Sequence, residues 1–454
     1  MTNFIHSYLS KSACIYGEYC LIENQTKRGG LYLLSLLILY CLAVMSIFPP
    51  VRALPIFNYI WPVFVLAWIL TVLIESPGYF IRSNFHQLIA YLFFSYAILI
   101  AFISGNGFIG NRFLEYFQIL IFYWAYRLNE KKGMQQDSVR LLLCLLPVFV
   151  FTSILTVTEY VANPNISRTA KKDTLAGIEQ MSEGIAGYEF IYFLVFSFAS
   201  ILYLVVNKKS KFASFKKIIW LIILGLIMTN IVLSNFMIAL LLMFVSVVFR
   251  FLIPKISAKR IIVYTIAAMA IIPFLPEIFL SLIEIFLNMF GSSMNAQRLI
   301  ELRELLAFGL VELSLGARLD AFNASIQAII SNPIIGIITS DIGGHGEGLS
   351  GFGQHSFLLD TFALYGVVFG AMSVYVFFQP LVRQLNHRTE DHSSLPLLMI
   401  LLCLIFFIVN NMTPSVGFAI YFVFPVIYSY IINVKALKQP MATRRYYNDA
   451  PPLN

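Results

Sequence analysis

Charge is scarce in this sequence. Of 454 residues only 12 % are Asp, Glu, Lys or Arg, whereas 59 % are hydrophobic and the mean hydropathy is +0.80. A soluble domain carries about a quarter charged residues, and half that charge cannot cover a water-facing surface. Soluble enzymes, disordered chains and fibrous proteins are excluded on this ground. Cysteine is scarce as well. Cys14, Cys20, Cys41, Cys144 and Cys403 fall in no segment read as external, so neither a disulfide framework nor a metal-type Cys/His cluster is expected. Residues 1–30 lack a continuous apolar stretch, so no cleavable signal peptide is expected and the first span acts as the insertion signal. What remains is a polytopic membrane protein. Its 42 Phe and 24 Tyr suit lipid-facing walls and interfacial belts.

A spanning helix needs about 20 mostly apolar residues, because it rises 1.5 Å per residue through roughly 30 Å of hydrocarbon. Twelve segments qualify: 31–49, 54–74, 86–104, 108–126, 139–160, 187–206, 217–234, 236–254, 260–276, 356–378, 394–412 and 415–434. Asn230, Ser234 and Asn235 interrupt the long apolar run 217–254 and predict a tight turn between two helices. With both termini inside, 23 of the 31 Lys and Arg fall on internal segments. The external ones are Arg52, Arg112, Arg168, Lys171, Lys172, Arg298, Arg303 and Arg318. The net charge of +8 therefore reports orientation rather than nucleic-acid binding. The expected organisation is a cytoplasmic segment 1–30, nine spans over 31–276 with an external loop at 161–186, a large external loop at 277–355, three spans over 356–434, and a cytoplasmic tail 435–454.

Six of the external cations sit in the two long external loops, where the charge rule would keep them few unless they have a task or the loops are long enough to escape it. In the first loop Arg168, Lys171 and Lys172 lie within five residues. Such a trio can hold a diphosphate, since Arg offers a planar fork of donors and Lys a point charge; a merely solvated loop accounts for it equally. Gly184 and Gly187 precede Tyr188 at the start of the sixth span, a place for close approach of backbone or ligand, or simply a hinge. In the second loop, residues 298–312 carry leucines at 299, 302, 305 and 306 opposite charges, the pattern of an amphipathic surface helix. Leu319, Phe322, Ile326, Ile329 and Ile330 form a second helical stripe that Asn332-Pro333 ends and Gly336 turns. Arg318 begins that helix, able to snorkel to lipid phosphate or to hold a substrate phosphate. Six glycines between 343 and 353 then lead to Gln354-His355-Ser356, where the tenth span opens. No Gly-Lys-Ser/Thr ends that run, so it is not a P-loop. His355, at the mouth of the bundle, is the side chain placed to act as a base near neutral pH, with His345 the other histidine of the loop.

These residues resemble the superfamily of bacterial O-antigen polymerases and O-antigen ligases. The resemblance rests on the plan of about twelve spans with one large external loop, on Arg318 followed by Ser325-Ile326 and Asn332-Pro333-Ile334-Ile335-Gly336, on Gly353-Gln354-His355-Ser356-Phe357-Leu358 with Gly366 following, and on Gly184-Ile185-Ala186-Gly187-Tyr188. It implies an all-α, GT-C-like enzyme of the bacterial inner membrane with its active site on the periplasmic side. The implied donor and acceptor are oligosaccharides on undecaprenyl diphosphate, joined by metal-independent, inverting glycosyl transfer without a cofactor. Carried onto this chain, His355 deprotonates or orients the acceptor hydroxyl and Arg318 neutralises the leaving diphosphate. Arg168 is a second diphosphate or sugar contact, Lys171 and Lys172 are further candidates, and Gly184, Tyr188, Gln354 and Ser356 line the substrate site. Membrane lipids, a flippase and a chain-length regulator are the implied partners; nucleic acid is not. Ser356 stands where ligases often carry Asn, and Asp360 lies too far along the helix to be assumed a partner of His355. The surroundings of 353–366 look more like a polymerase than a ligase.

A transporter of lipid-linked sugars is the rival class. It would place essential charges in mid-span and show repeated halves. Here Glu115, Glu159 and Glu189 lie in or near spans, Asn230, Asn410 and Asn411 fit helix–helix hydrogen bonding, and no repeat relates the two halves.

Overall fold

In the computed structural model the described residues are 29–81, 84–103, 112–163, 166, 175–206, 214–252, 313–337, 356–386 and 394–436, with short stretches between 280 and 304. Among them the chain is helical and holds no strand. The helices are α1 (Gly30–Ile47), α2 (Pro49–Ala53), α3 (Phe57–Glu75), α4 (Pro77–Ile81), α5 (Phe85–Ile103), α6 (Arg112–Lys131), α7 (Gln135–Ala162), α8 (Leu175–Ser182), α9 (Tyr188–Val206), α10 (Ser214–Leu233), α11 (Met237–Leu252), α12 (Leu313–Ser331), α13 (Phe357–Asn386), α14 (Ser394–Val409), α15 (Pro414–Phe418) and α16 (Phe424–Ala436). A π-helical turn, Ala419–Val423, joins the last two into one rod. Five helices are long and apolar enough to cross a membrane, namely α1, α7, α9, α13 and the α15–α16 rod. The apolar parts of α3, α5, α10, α11 and α14 are shorter. This content is compatible with a multi-pass membrane protein.

Eleven of the twelve apolar segments coincide with helices, and the break in 217–254 falls at Ser234–Phe236, where Asn235 takes φ 57°. The segment 260–276, the amphipathic stretch 298–312 and the glycine-rich run 343–353 lie outside the described residues.

Helix α9 is the axis of the bundle. It carries no charge beyond Glu189 and is apolar on every side, the composition of a helix surrounded by others. It is buried from Phe190 to Val205 and packs against α10, α11, α14, α15 and α16. The outer helices instead turn apolar residues outward, such as Val63, Leu66, Leu70 and Ile74 on α3 and Leu92, Leu99 and Ile103 on α5. Exposed apolar surface on this scale marks contact with lipid or partners rather than water.

Helix α12 divides its apolar stripe, with Ile329 packed on the core and other members turned outward. The stripe through Ile326 and Ile330 is exposed at 40 % and 65 %, while Ala321 and Ser325 are buried against α13. Small residues let two backbones approach closely, and close approach is what this contact uses. Beyond Ser331 the turn crosses α13 at a pair of glycines. Gly336 (φ 73°) and Gly366 (φ 72°) sit back to back, with Ile337 N donating to Ala363 O (3.1 Å) and Val367 N to Pro333 O (2.7 Å). Gly366 breaks the helical path of α13 at this point. Tyr96 of α5 donates to Ile335 O (2.5 Å) and secures the same turn.

A Cβ on Gly336 would lie 2.1 Å from Leu364 O, and one on Gly366 would lie 2.2 Å from Ile334 O. Gly336→Ala and Gly366→Ala are each expected to destabilise the protein by about 1–3 kcal/mol or more, since positive φ and a backbone clash add. Gly225→Ala is the contrast: it lies inside α10 with nothing within 4 Å and is expected to be neutral or to stabilise by about 0.5–1 kcal/mol. Thermal unfolding of the three variants in detergent micelles checks the ordering.

Candidate functional site

Polar side chains gather at the two ends of the bundle. At one end Lys132 pairs with Glu75 (2.5 Å), Arg140 with Asp137 (2.8 Å) and Arg127 with Glu130, and the Tyr32 hydroxyl lies within hydrogen-bond distance of Asp137 and Asn129. The other end holds the C-terminal end of α1, the N-terminal ends of α6, α9 and α13, and the junction of α14 with α15. This second end contains the residues the sequence singles out.

Ser356 caps α13. Leu359 N donates to Ser356 Oγ (3.1 Å), and the Asp360 carboxylate reaches back to Ser356 N (3.3 Å), a reciprocal arrangement of the capping-box type. This fixes where the helix starts. The same carboxylate accepts from Ser325 Oγ (3.0 Å), two helical turns beyond Arg318 on α12. Asp360 is 1 % exposed. It thus ties the helix that carries Arg318 to the residue that follows His355. The glycine crossing at 336 and 366 is a second tie between the same two elements.

Further contacts complete this end. Ser356 Oγ also faces Phe407 O (3.3 Å), and Phe357 N donates to Asn410 O (3.1 Å), so the start of α13 is fastened to the end of α14. The Tyr188 hydroxyl donates to Asn410 Oδ1, and its ring packs edge-on against Tyr192 and Phe236. Next to Tyr188, Glu189 pairs with Arg52 (2.6 Å). Ser415 Oγ lies 3.4 Å from Glu189 and donates to Ser46 O (2.5 Å), while Gln118 donates to Ser46 Oγ (3.0 Å). Burial opposes the Arg52 charge, but Glu189, with Glu115 as a further neighbour, outweighs it and raises the Arg52 pKa above the ordinary arginine value.

The expected site residues stand as follows. Gly184 (φ 95°) ends α8, and a Cβ there would meet Leu155 Cδ1 at 2.7 Å, so glycine is needed for the turn and for packing on α7. The segment after it is anchored through Ala186, whose N–H donates to Thr156 and whose carbonyl accepts from Tyr160. Tyr188 is partly buried and reaches Asn410. Ser356 is fully buried, with its hydroxyl engaged in capping. Arg318 lies in α12, though its side chain is outside the description. Arg168, Lys171, Lys172, Gln354 and His355 are outside the described residues.

The residues that sequence reasoning missed are Asp360, Asn410 and the Arg52–Glu189 pair. A signal existed for Asp360, since a serine followed one turn later by an acid ahead of an apolar run is a capping pattern. Glu189 likewise stands at the head of a helix with no other charge, which calls for a cation nearby. Among the described residues no three His, Cys, Asp or Glu side chains gather as a metal site. Among the described residues these observations define an all-α protein with apolar, bundle-forming helices and a polar end, built around α9, α12 and α13, that holds the singled-out residues. No family model, curated protein or solved structure matches the chain.

Asp360→Ala leaves the buried Ser356 N–H unpaired and Ser325 Oγ with Ala321 O alone, and is expected to cost about 1–3 kcal/mol. Asp360→Asn keeps an acceptor for the Ser356 N–H and should cost less. For the ion pair, Arg52→Met alone strands a carboxylate, whereas Arg52→Met with Glu189→Gln does not. The double variant is expected to be more stable than the sum of the single losses by about 1–3 kcal/mol, read from a double-mutant cycle of chemical unfolding.

Proposed function

We propose that this chain is a surface-polysaccharide polymerase that joins undecaprenyl-diphosphate-linked oligosaccharides at the periplasmic face of the bacterial inner membrane. In this reading twelve helices span the membrane with both termini in the cytoplasm. The fold is GT-C-like, and the large loop between the ninth and tenth spans is periplasmic. The observation that carries the reading is the Asp360 tie. It joins the helix of Arg318 to Ser356, the residue next to His355 in the sequence, which supports pairing the two residues that the family resemblance selects.

The chemistry follows from those two roles. The acceptor sugar's hydroxyl oxygen attacks the anomeric carbon of the donor from the face opposite the leaving group. The new C–O glycosidic bond forms as the bond from that carbon to the diphosphate oxygen breaks, which inverts the configuration. His355 takes the hydroxyl proton. Undecaprenyl diphosphate departs with the electron pair, and Arg318 stabilises its growing charge. Arg168, with Lys171 and Lys172, steadies the diphosphate from the other loop. The leaving group is already activated, so placement and charge stabilisation supply the rate. The position of the ion pairs supports a transferase over a transporter, because the described pairs lie at helix ends rather than in mid-span.

The test is a gel of surface glycans from the host lacking this gene. Lipid-anchored glycan bearing one repeat, with the ladder gone, is expected. Bare lipid core with long glycan stranded on undecaprenyl diphosphate would assign a ligase instead, and an unchanged ladder would remove the chain from this pathway. In the complemented strain, His355→Ala and Arg318→Ala should each abolish chain extension at normal protein abundance, and Arg168→Ala should reduce it in part. Arg318→Lys is expected to be impaired as well, since Lys cannot make the two-pronged diphosphate contact.

A further inference from the structure

We propose that the unwound segment Asn410–Thr413 is a carbohydrate-recognition site that reads sugar hydroxyl or acetamido groups beside the start of α13. The inference rests on the glycosyl-transfer reading above and adds to it a neutral subsite for the sugar, distinct from the cations assigned to the diphosphate.

The segment is where α14 stops and α15 has not begun. Thr413 is extended (φ −121°, ψ 159°), the conformation the following Pro414 imposes. It is nonetheless held firmly. Asn410 O accepts from Phe357 N, Asn410 Oδ1 accepts from Tyr188, and Thr413 O accepts from Gly417 N (2.8 Å). Its apolar member, Met412, is packed away at 2 % exposure.

Against that order, three side-chain groups stand out. Asn410 Nδ2, Asn411 Oδ1 and Thr413 Oγ1 are buried, and none has a hydrogen-bond partner among the described residues. Asn410 itself is 4 % exposed. Buried polar groups are nearly always satisfied, and in an apolar bundle water does so least readily. Thr413 is the most telling of the three. It occupies an N-cap, where a threonine hydroxyl ordinarily accepts from the helix, yet it makes no such bond. Other buried side-chain groups in the bundle also lack a partner among the described residues, but these three lie within four residues of one irregular break beside the start of α13, and it is that gathering that points to a ligand.

Their chemistry selects the ligand. One is an amide donor, one an amide acceptor and one a hydroxyl able to do both, and none is charged. That set pairs with sugar hydroxyls or an acetamido group. It is a poor match for a diphosphate, which needs cations. The nearby charges, Arg52 and Glu189, neutralise each other. Tyr188, bonded to Asn410 and packed against Tyr192, adds an aromatic wall of the kind that lines small-molecule sites.

The experiment uses the full chain in lipid nanodiscs and saturation-transfer NMR with two probes. One is the oligosaccharide repeat released by mild acid from the host's surface glycan, the other inorganic diphosphate. Wild type is expected to bind both. The double variant Asn411→Ala with Thr413→Val should weaken oligosaccharide binding about tenfold or more, the effect of losing two buried hydrogen bonds, and leave diphosphate binding unchanged. Thr413→Ser, which keeps the hydroxyl, should bind as wild type. Unaltered oligosaccharide binding by the double variant overturns the site while leaving the glycosyl-transfer reading in place. A wild-type protein that binds diphosphate but no oligosaccharide overturns both. Should the double variant lose diphosphate as well, the isosteric Thr413→Val decides alone, and oligosaccharide binding equal to wild type then overturns the proposal.

Discussion

The buried carboxylate of Asp360 is the interaction on which this end of the molecule depends. A chain with so little charge has few groups able to bind two elements at once. Asp360 accepts from an N-cap backbone and from the hydroxyl of a helix that approaches from a different part of the sequence. Removing it would weaken the start of α13 and its tie to α12 together. Burial makes the arrangement demanding, because a carboxylate in apolar surroundings must have its lone pairs satisfied.

A second constraint runs alongside. Backbone polar groups have no water to turn to inside an apolar bundle, so every departure from helix must be met by a named partner. Ala186 is met by Thr156 and Tyr160, Ile335 by Tyr96, and Ile337 and Val367 by the carbonyls across the glycine crossing. Irregular backbone therefore occurs where side chains from other helices converge, and these are the places that surround the candidate site. The Asn410–Thr413 break follows the same rule in its backbone and departs from it in its side chains.

The division of labour at this end is between charge and neutral polarity. Arg52 and Glu189 close on each other between α2 and α9, and Ser415 next to them donates to Ser46 O, fastening the last rod to the first helix. Under the proposed function the loop cations would serve the diphosphate, and the amide and hydroxyl groups of the break the sugar. Such segregation suits a lipid-linked glycan, whose ends differ in charge in the same way.

Much of the fold was legible from hydropathy alone. Runs of about 20 apolar residues leave a chain little choice but helix, and the 217–254 break was readable from three polar residues in a row of apolar ones. The kink at Gly366 and its pairing with Gly336 were not, since two glycines 30 residues apart become informative only when their backbones touch. Periodicity finds the apolar stripe of α12 but cannot say whether core or lipid will cover it; Ile329 packs on the core while Ile326 and Ile330 face outward, and Ser325 on the inner side reaches Asp360. Composition and spacing by themselves determined that the chain is helical, with several segments apolar enough to cross a membrane. Tertiary structure alone decided that Asp360, Asn410 and the Arg52–Glu189 pair meet at one end of the bundle, because contacts between residues far apart in the chain depend on which helix faces pack together.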